Sequence, residues 1–120
     1  MSEREGSGDV ERLAPVLPAA DLEAAVRAWT AVLGAEPTFV DGDRWAQFDV
    51  AGSRLSLAGA DRVADVPGVM VRVRDVAAAR QRALGLGLEA GETVEGAHEV
   101  RCVVRGPDGW PIVLYASRRG

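Results

Sequence analysis

Apolar and polar positions alternate over residues 68–73. Val69, Val71 and Val73 fall between Gly68, Met70 and Arg72, the period of two that marks a half-buried strand. Asp75 follows where a helix N-cap belongs, its carboxylate able to accept from the amides of the first turn. Ala77 to Leu86 then reads as a helix rich in Ala, Arg and Gln, which Gly85 and Gly87 end. The same grammar occurs earlier in the chain. Asp21 caps Leu22 to Leu33, where Leu22, Val26, Trp29 and Leu33 recur at helical spacing as one apolar stripe, and Gly34 stops the helix. Asp21 and Asp75 lie 54 positions apart, and Arg54-Leu55-Ser56-Leu57 falls on Pro111-Ile112-Val113-Leu114 at a distance of 57. Two units tile the chain.

Three short strands follow each helix. They are expected at about Thr38–Val40, Arg44–Val50 and Arg54–Ala58 in the first unit, and at Gly91–Val94, Glu99–Arg105 and Ile112–Ala116 in the second. The turns between them are signalled by Asp41-Gly42-Asp43, Ala51-Gly52-Ser53 and Gly106-Pro107-Asp108-Gly109. Each unit is thus β-α-β-β-β, with modules over 13–59 and 67–117 of one domain, residues 13–117. Residues 1–12, charged and rich in Gly and Ser, are expected to form a mobile tail.

Composition narrows the function. The 120 residues suffice for one domain, and 48% apolar with 27% charged residues is ordinary for a globule. All 14 basic residues are Arg, as in a coding sequence rich in G and C, against 18 acids; the net charge is −4. With no basic stripe, nucleic acid is not an expected partner. No apolar run is long enough for a transmembrane helix, and no secretory leader opens the sequence, so no membrane partner and a cytoplasmic location are expected. A single cysteine, Cys102, excludes an internal disulfide and a multi-cysteine zinc site. Gly85-Leu86-Gly87-Leu88-Glu89-Ala90 matches the dinucleotide fingerprint. It follows a helix rather than opening one, and reads as a helix stop.

Four stretches carry a resemblance: Leu17-Pro18-Ala19-Ala20-Asp21-Leu22, the helix end Trp29 to Gly34, Val71-Arg72-Val73-Arg74-Asp75-Val76, and Gly106-Pro107-Asp108-Gly109-Trp110-Pro111-Ile112-Val113-Leu114-Tyr115. In this order and spacing the chain resembles the vicinal oxygen chelate superfamily: glyoxalase I, extradiol dioxygenases, and fosfomycin- and bleomycin-resistance proteins. The resemblance spans about residues 13 to 116. It implies an α+β fold in which two tandem βαβββ units form a cup-shaped mixed sheet, with the helices outside and the ligand inside. It also implies a homodimer, since many relatives build their cups from two subunits.

Strand alternation then sorts the side chains. Leu17, Phe48, Val50, Leu55, Leu57, Val69, Val71, Val73, Cys102, Val104, Ile112 and Leu114 are assigned to the helix side. The ligand side receives Trp45, Gln47, Asp49, Arg54, Ser56, Met70, Arg72, Arg101, Val113 and Tyr115, together with Ala14, Val16, Gly68 and Val103. Metal-using relatives hold a divalent ion at positions that correspond to Ala14, Ser56, Gly68 and Val113. None is a strong ligand, so no metal and no other cofactor is expected.

Trp45 and Tyr115 could stack on a flat ligand over a floor of Met70, Val16, Val103 and Val113. Arg54, Arg72 and Arg101 could grip an anion, pair with Asp49, or lie in water at strand ends. His98 is either an exposed turn residue or an acid–base group, and Cys102 reads as core. Trp110 belongs to a rim or a subunit contact, and Trp29 to the helix stripe. The leading expectation is a metal-independent protein of the bleomycin-resistance type that sequesters an aromatic or polycyclic small molecule. The alternatives are a metal-free enzyme (isomerase, cyclase or lyase) with Asp49 or Glu99 as base, and a module without ligand.

Overall fold

The computed structural model describes residues 9–118. Asp21 and Asp75 both cap helices as the sequence requires. Asp21 accepts from the Ala24 amide at 3.0 Å and opens α1 (Leu22–Leu33); Asp75 accepts from the Ala78 amide at 3.1 Å and opens α2 (Val76–Gly85). Gly34 ends α1 in the left-handed region at φ 66°, its amide bonded to the Thr30 carbonyl. The strands are β1 (Val10–Pro18), β2 (Phe39–Asp41), β3 (Trp45–Val50), β4 (Ser53–Ala58), β5 (Gly68–Val73), β6 (Glu89–Ala90), β7 (Val94–Glu95), β8 (Glu99–Arg105) and β9 (Pro111–Ser117).

The chain forms two compact units. The first, residues 14–68, orders its strands β2-β3-β4 and the end of β1. β3 and β4 pair antiparallel through a two-residue turn at Ala51 and Gly52, while β1 pairs parallel with β4, Val16 facing Ser56. On one face Ala19, Leu22, Ala46, Phe48 and Leu57 form a buried core, against which Leu17, Val26, Trp29, Val50 and Leu55 pack. Gly59 follows β4 at a point where no side chain fits. A Cβ there would lie 2.2 Å from the Asp43 carbonyl oxygen.

The second unit, residues 69–118 with 9–13, orders its strands β5-β9-β8-β6, with β7 also on β8. β5 and β9 are parallel, β8 and β9 antiparallel. Val73, Val76, Ala79, Cys102, Val104 and Leu114 are its core, with Val71, Ala83, Val100 and Ile112 packed against them. Cys102 is 1% exposed and its thiol donates to the Gly91 carbonyl, so it is the packing residue that alternation implies. In both units the helix-side set of the sequence reading is found on the helix side.

Several boundaries differ, most of them by a single residue. Of the tail placed at residues 1–12, residues 1–8 lie outside the described residues, while Val10–Arg12 begin β1. Their exposed charges hide the strand, because residues 10–13 are all open to solvent. The strand expected at Gly91–Val94 is replaced by two fragments, β6 and β7, on either side of Gly91 to Thr93. α2 starts at Val76, directly after its cap. Trp110, assigned to a rim or contact, lies over Gly106: a Cβ at Gly106 would meet its ring at 2.3 Å. No helix among the described residues is long and apolar enough to cross a membrane.

Candidate functional site

The face of the first unit that turns away from α1 is laid out by register. Trp45 faces Asp41 on one side and Ala58 on the other; in the next row the order is Phe39, Gln47, Ser56 and Val16; beyond it Asp49 faces Arg54. Directly opposed residues share a face. Trp45, Gln47, Asp49, Arg54 and Ser56 are therefore neighbours, as strand alternation places them. Phe39, which the sequence reading did not orient, joins them. It is half exposed and stands beside Gln47. Its signal was Thr38-Phe39-Val40, an alternation too short to choose a side without the pairing to β3.

Polar groups on this face are tied to one another. Arg54 Nε donates to Asp49 Oδ1 at 2.7 Å and Nη2 to Oδ2 at 3.3 Å, while the Thr38 hydroxyl donates to Asp49 Oδ2 at 2.6 Å. Trp45 Nε1 donates to Gln47 Oε1 at 3.4 Å. Ser56 is buried at 2% exposure.

The corresponding face of the second unit carries an apolar row, Met70, Val113 and Val103, and a polar row, Arg72, Tyr115 and Arg101. Met70 and Val113 are buried, at 6% and 2% exposure. Arg101 donates twice to Glu99 Oε2, at 2.6 and 2.9 Å. Arg72 donates to the Ser117 hydroxyl at 2.6 Å and to Glu11 at 3.3 Å. Of the readings open for the three arginines, internal pairing describes all of them, and the acceptors include Glu11 and Glu99 as well as Asp49. A depression of about 310 Å3 opens at the β6 edge, lined by Glu89, Ala90, Gly91, Val103 and Arg105.

A cleft of about 610 Å3 lies on the other side of this unit, at the start of α2. Asp9, Arg74, Asp75, Glu95 and Ser117 line it over Val76, Val100 and Ala116. Asp9 is engaged within the fold. Its carboxylate accepts from Arg82 at 2.8 Å, and that bond, opposed in part by desolvation and helped by amides of Arg74 and Asp75, lowers its pKa below the usual value of 3.8. His98 is exposed, its carbonyl accepting from the Arg118 amide.

No protein-family model matches the chain, and no curated protein is similar to it in sequence. Solved structures are. The NAD-dependent benzaldehyde dehydrogenase structure from Legionella pneumophila superposes with a TM-score of 0.78 at 11% identity, over 88% of this chain and 99% of that one. A glyoxalase/bleomycin resistance protein/dioxygenase superfamily member from Vibrio splendidus 12B01 gives 0.66 at 19% identity, over 88% and 97%. Methylmalonyl-CoA epimerase from Mycobacterium tuberculosis gives 0.60 at 15%, over 99% and 94%. The chain has the vicinal oxygen chelate fold.

Metal-dependent proteins of the vicinal oxygen chelate fold set a test for the residues present. Ala14, Ser56, Gly68 and Val113 are all buried, and a single hydroxyl is the sum of their side-chain donors. Among the described residues no three His, Cys, Asp or Glu side chains cluster as a metal would need. A neutral hydroxyl cannot replace the carboxylates, imidazoles or thiolates that hold zinc, iron or manganese. These positions do not fit a divalent cation.

Proposed function

We propose that this protein binds a flat, uncharged aromatic or polycyclic molecule without a metal, in the manner of a bleomycin-resistance protein. The observation that carries the reading is the β2-β3-β4 face of the first unit. Phe39 and Trp45 offer ring surface around Gln47 and Ser56, and the nearby Arg54 is already neutralised by Asp49. Aromatic surface with a few placed polar groups suits stacking on a planar ligand. The same geometry speaks against a metal-free enzyme with Asp49 or Glu99 as its base. Each carboxylate accepts from a guanidinium at 2.7 Å or less, and so is engaged within the fold rather than open to a substrate.

Equilibrium dialysis against a panel of tricyclic and tetracyclic aromatic compounds tests the reading. One equivalent should be retained per chain and recovered chemically unchanged, and Trp45→Ala should weaken retention about tenfold. Conversion of a retained compound at many equivalents per chain would replace the reading with an enzymatic one.

A further inference from the structure

Ser56 is the polar side chain that the described fold buries, and its hydroxyl bonds to no described residue. Buried hydroxyls are normally partnered, because the donor and acceptor lost to water are not otherwise replaced. A ligand atom that bonds this hydroxyl therefore gains what the fold alone forgoes. Directly across from it in register stands Gln47. The indole of Trp45 donates to Gln47 Oε1, which orients the amide and leaves its Nε2 hydrogens as donors. Opposed side chains of paired strands sit about 5 Å apart at Cβ, close enough for both donors to reach one oxygen with two lone pairs.

The row has two apolar ends. Phe39 lies beyond Gln47 and Val16 beyond Ser56. Both donors are neutral, and the adjacent cation, Arg54, is committed to Asp49. We infer that Gln47 and Ser56 form a two-donor seat for a ring carbonyl oxygen, and that the ligand is an uncharged planar polycyclic ketone. The inference rests on the functional reading above and adds the chemical group that is recognised. A carboxylate is the wrong ligand for this seat, because two neutral donors do not repay the desolvation of an anion.

Three probes of one shape separate the possibilities: fluorene, fluorenone and fluorenecarboxylate, each measured by equilibrium dialysis. The wild-type protein should hold fluorenone about tenfold more tightly than fluorene, with the carboxylate weakest. Ser56→Ala and Gln47→Leu should each bring the ketone-to-hydrocarbon ratio close to one. A circular dichroism spectrum that matches the wild type in those variants shows that the fold is intact. A wild-type ratio near one overturns the two-donor seat and leaves the functional reading standing, as does a ratio that survives both substitutions or a preference for the carboxylate. Binding of none of the three overturns both.

Discussion

At the β3–β4 turn, Ala51 is the one described non-glycine residue with positive φ, 53°, followed by Gly52 at 80°. Two consecutive positive φ values in a two-residue hairpin make a type I′ turn, whose twist matches that of the strands. Asn-Gly is the favoured pair there, because Asn tolerates the left-handed region and Ala does not. The chain has no Asn anywhere, so the strain at Ala51 reflects the composition of the sequence rather than a demand of the fold. Ala51→Asn should stabilise the protein by about 0.5–1 kcal/mol, which raises the midpoint of a thermal melt by roughly 2–5 °C. An unchanged or lowered midpoint would mean that the turn is held by something other than its own backbone preference. The arginines are the opposite case at the same scale. Residue type suggested anion binding, yet Arg54, Arg72 and Arg101 each found an acceptor within the fold. Pairing partners such as Glu11 and Glu99 depend on register, which no single residue reveals.

Among the elements, the helices were the most legible, because each advertises its start and stop. Asp21 and Asp75 cap, Gly34 stops, and the stripe of α1 is continuous. The short edge strands were least legible: β6 and β7 have two residues each, too few for alternation to register. The start of β1 was hidden for another reason. Its residues 10–13 are exposed, and its neighbour Asp9 acts at a distance of 73 residues by binding Arg82 of α2. That contact makes a pH prediction. Asp9 titrates below 3.8 in the folded protein, Arg82 being the main cause, so the folded state favours the charged form. The stabilisation is present above a pH of about 4 and is lost as pH falls through the lowered value. Since Arg82 is 57% exposed, the effect is screened and worth less than about 1 kcal/mol. Asp9→Asn should lower the urea midpoint at pH 7 and leave the two proteins alike near pH 2. A gap between them that persists in acid would assign the loss to packing of the strand instead of charge.

For the whole molecule, duplication explains why so much of the architecture could be read from sequence. The same cap, helix and strand order had to be written twice, so each copy corroborated the other. Binding chemistry has no such redundancy. Ser56 and Val113 occupy equivalent places in the two units, yet one is a hydroxyl and the other a hydrocarbon, and the residue across from Ser56 is Gln47 while that across from Val113 is Val103. Constraint on the scaffold is thus shared between the units, whereas the chemistry is assigned unit by unit. The same comparison makes the last prediction. A native-state metal site occupied at a hundred times its dissociation constant adds about 2.7 kcal/mol, a rise of roughly 10 °C in a melt of this size. With Ala14, Ser56, Gly68 and Val113 supplying one neutral hydroxyl between them, zinc, manganese, nickel and cobalt should each leave the midpoint unmoved. A rise of several degrees with any of them, abolished by Ser56→Ala, would show that the hydroxyl recruits a cation after all, and the neutral seat assigned to it would have to be given up.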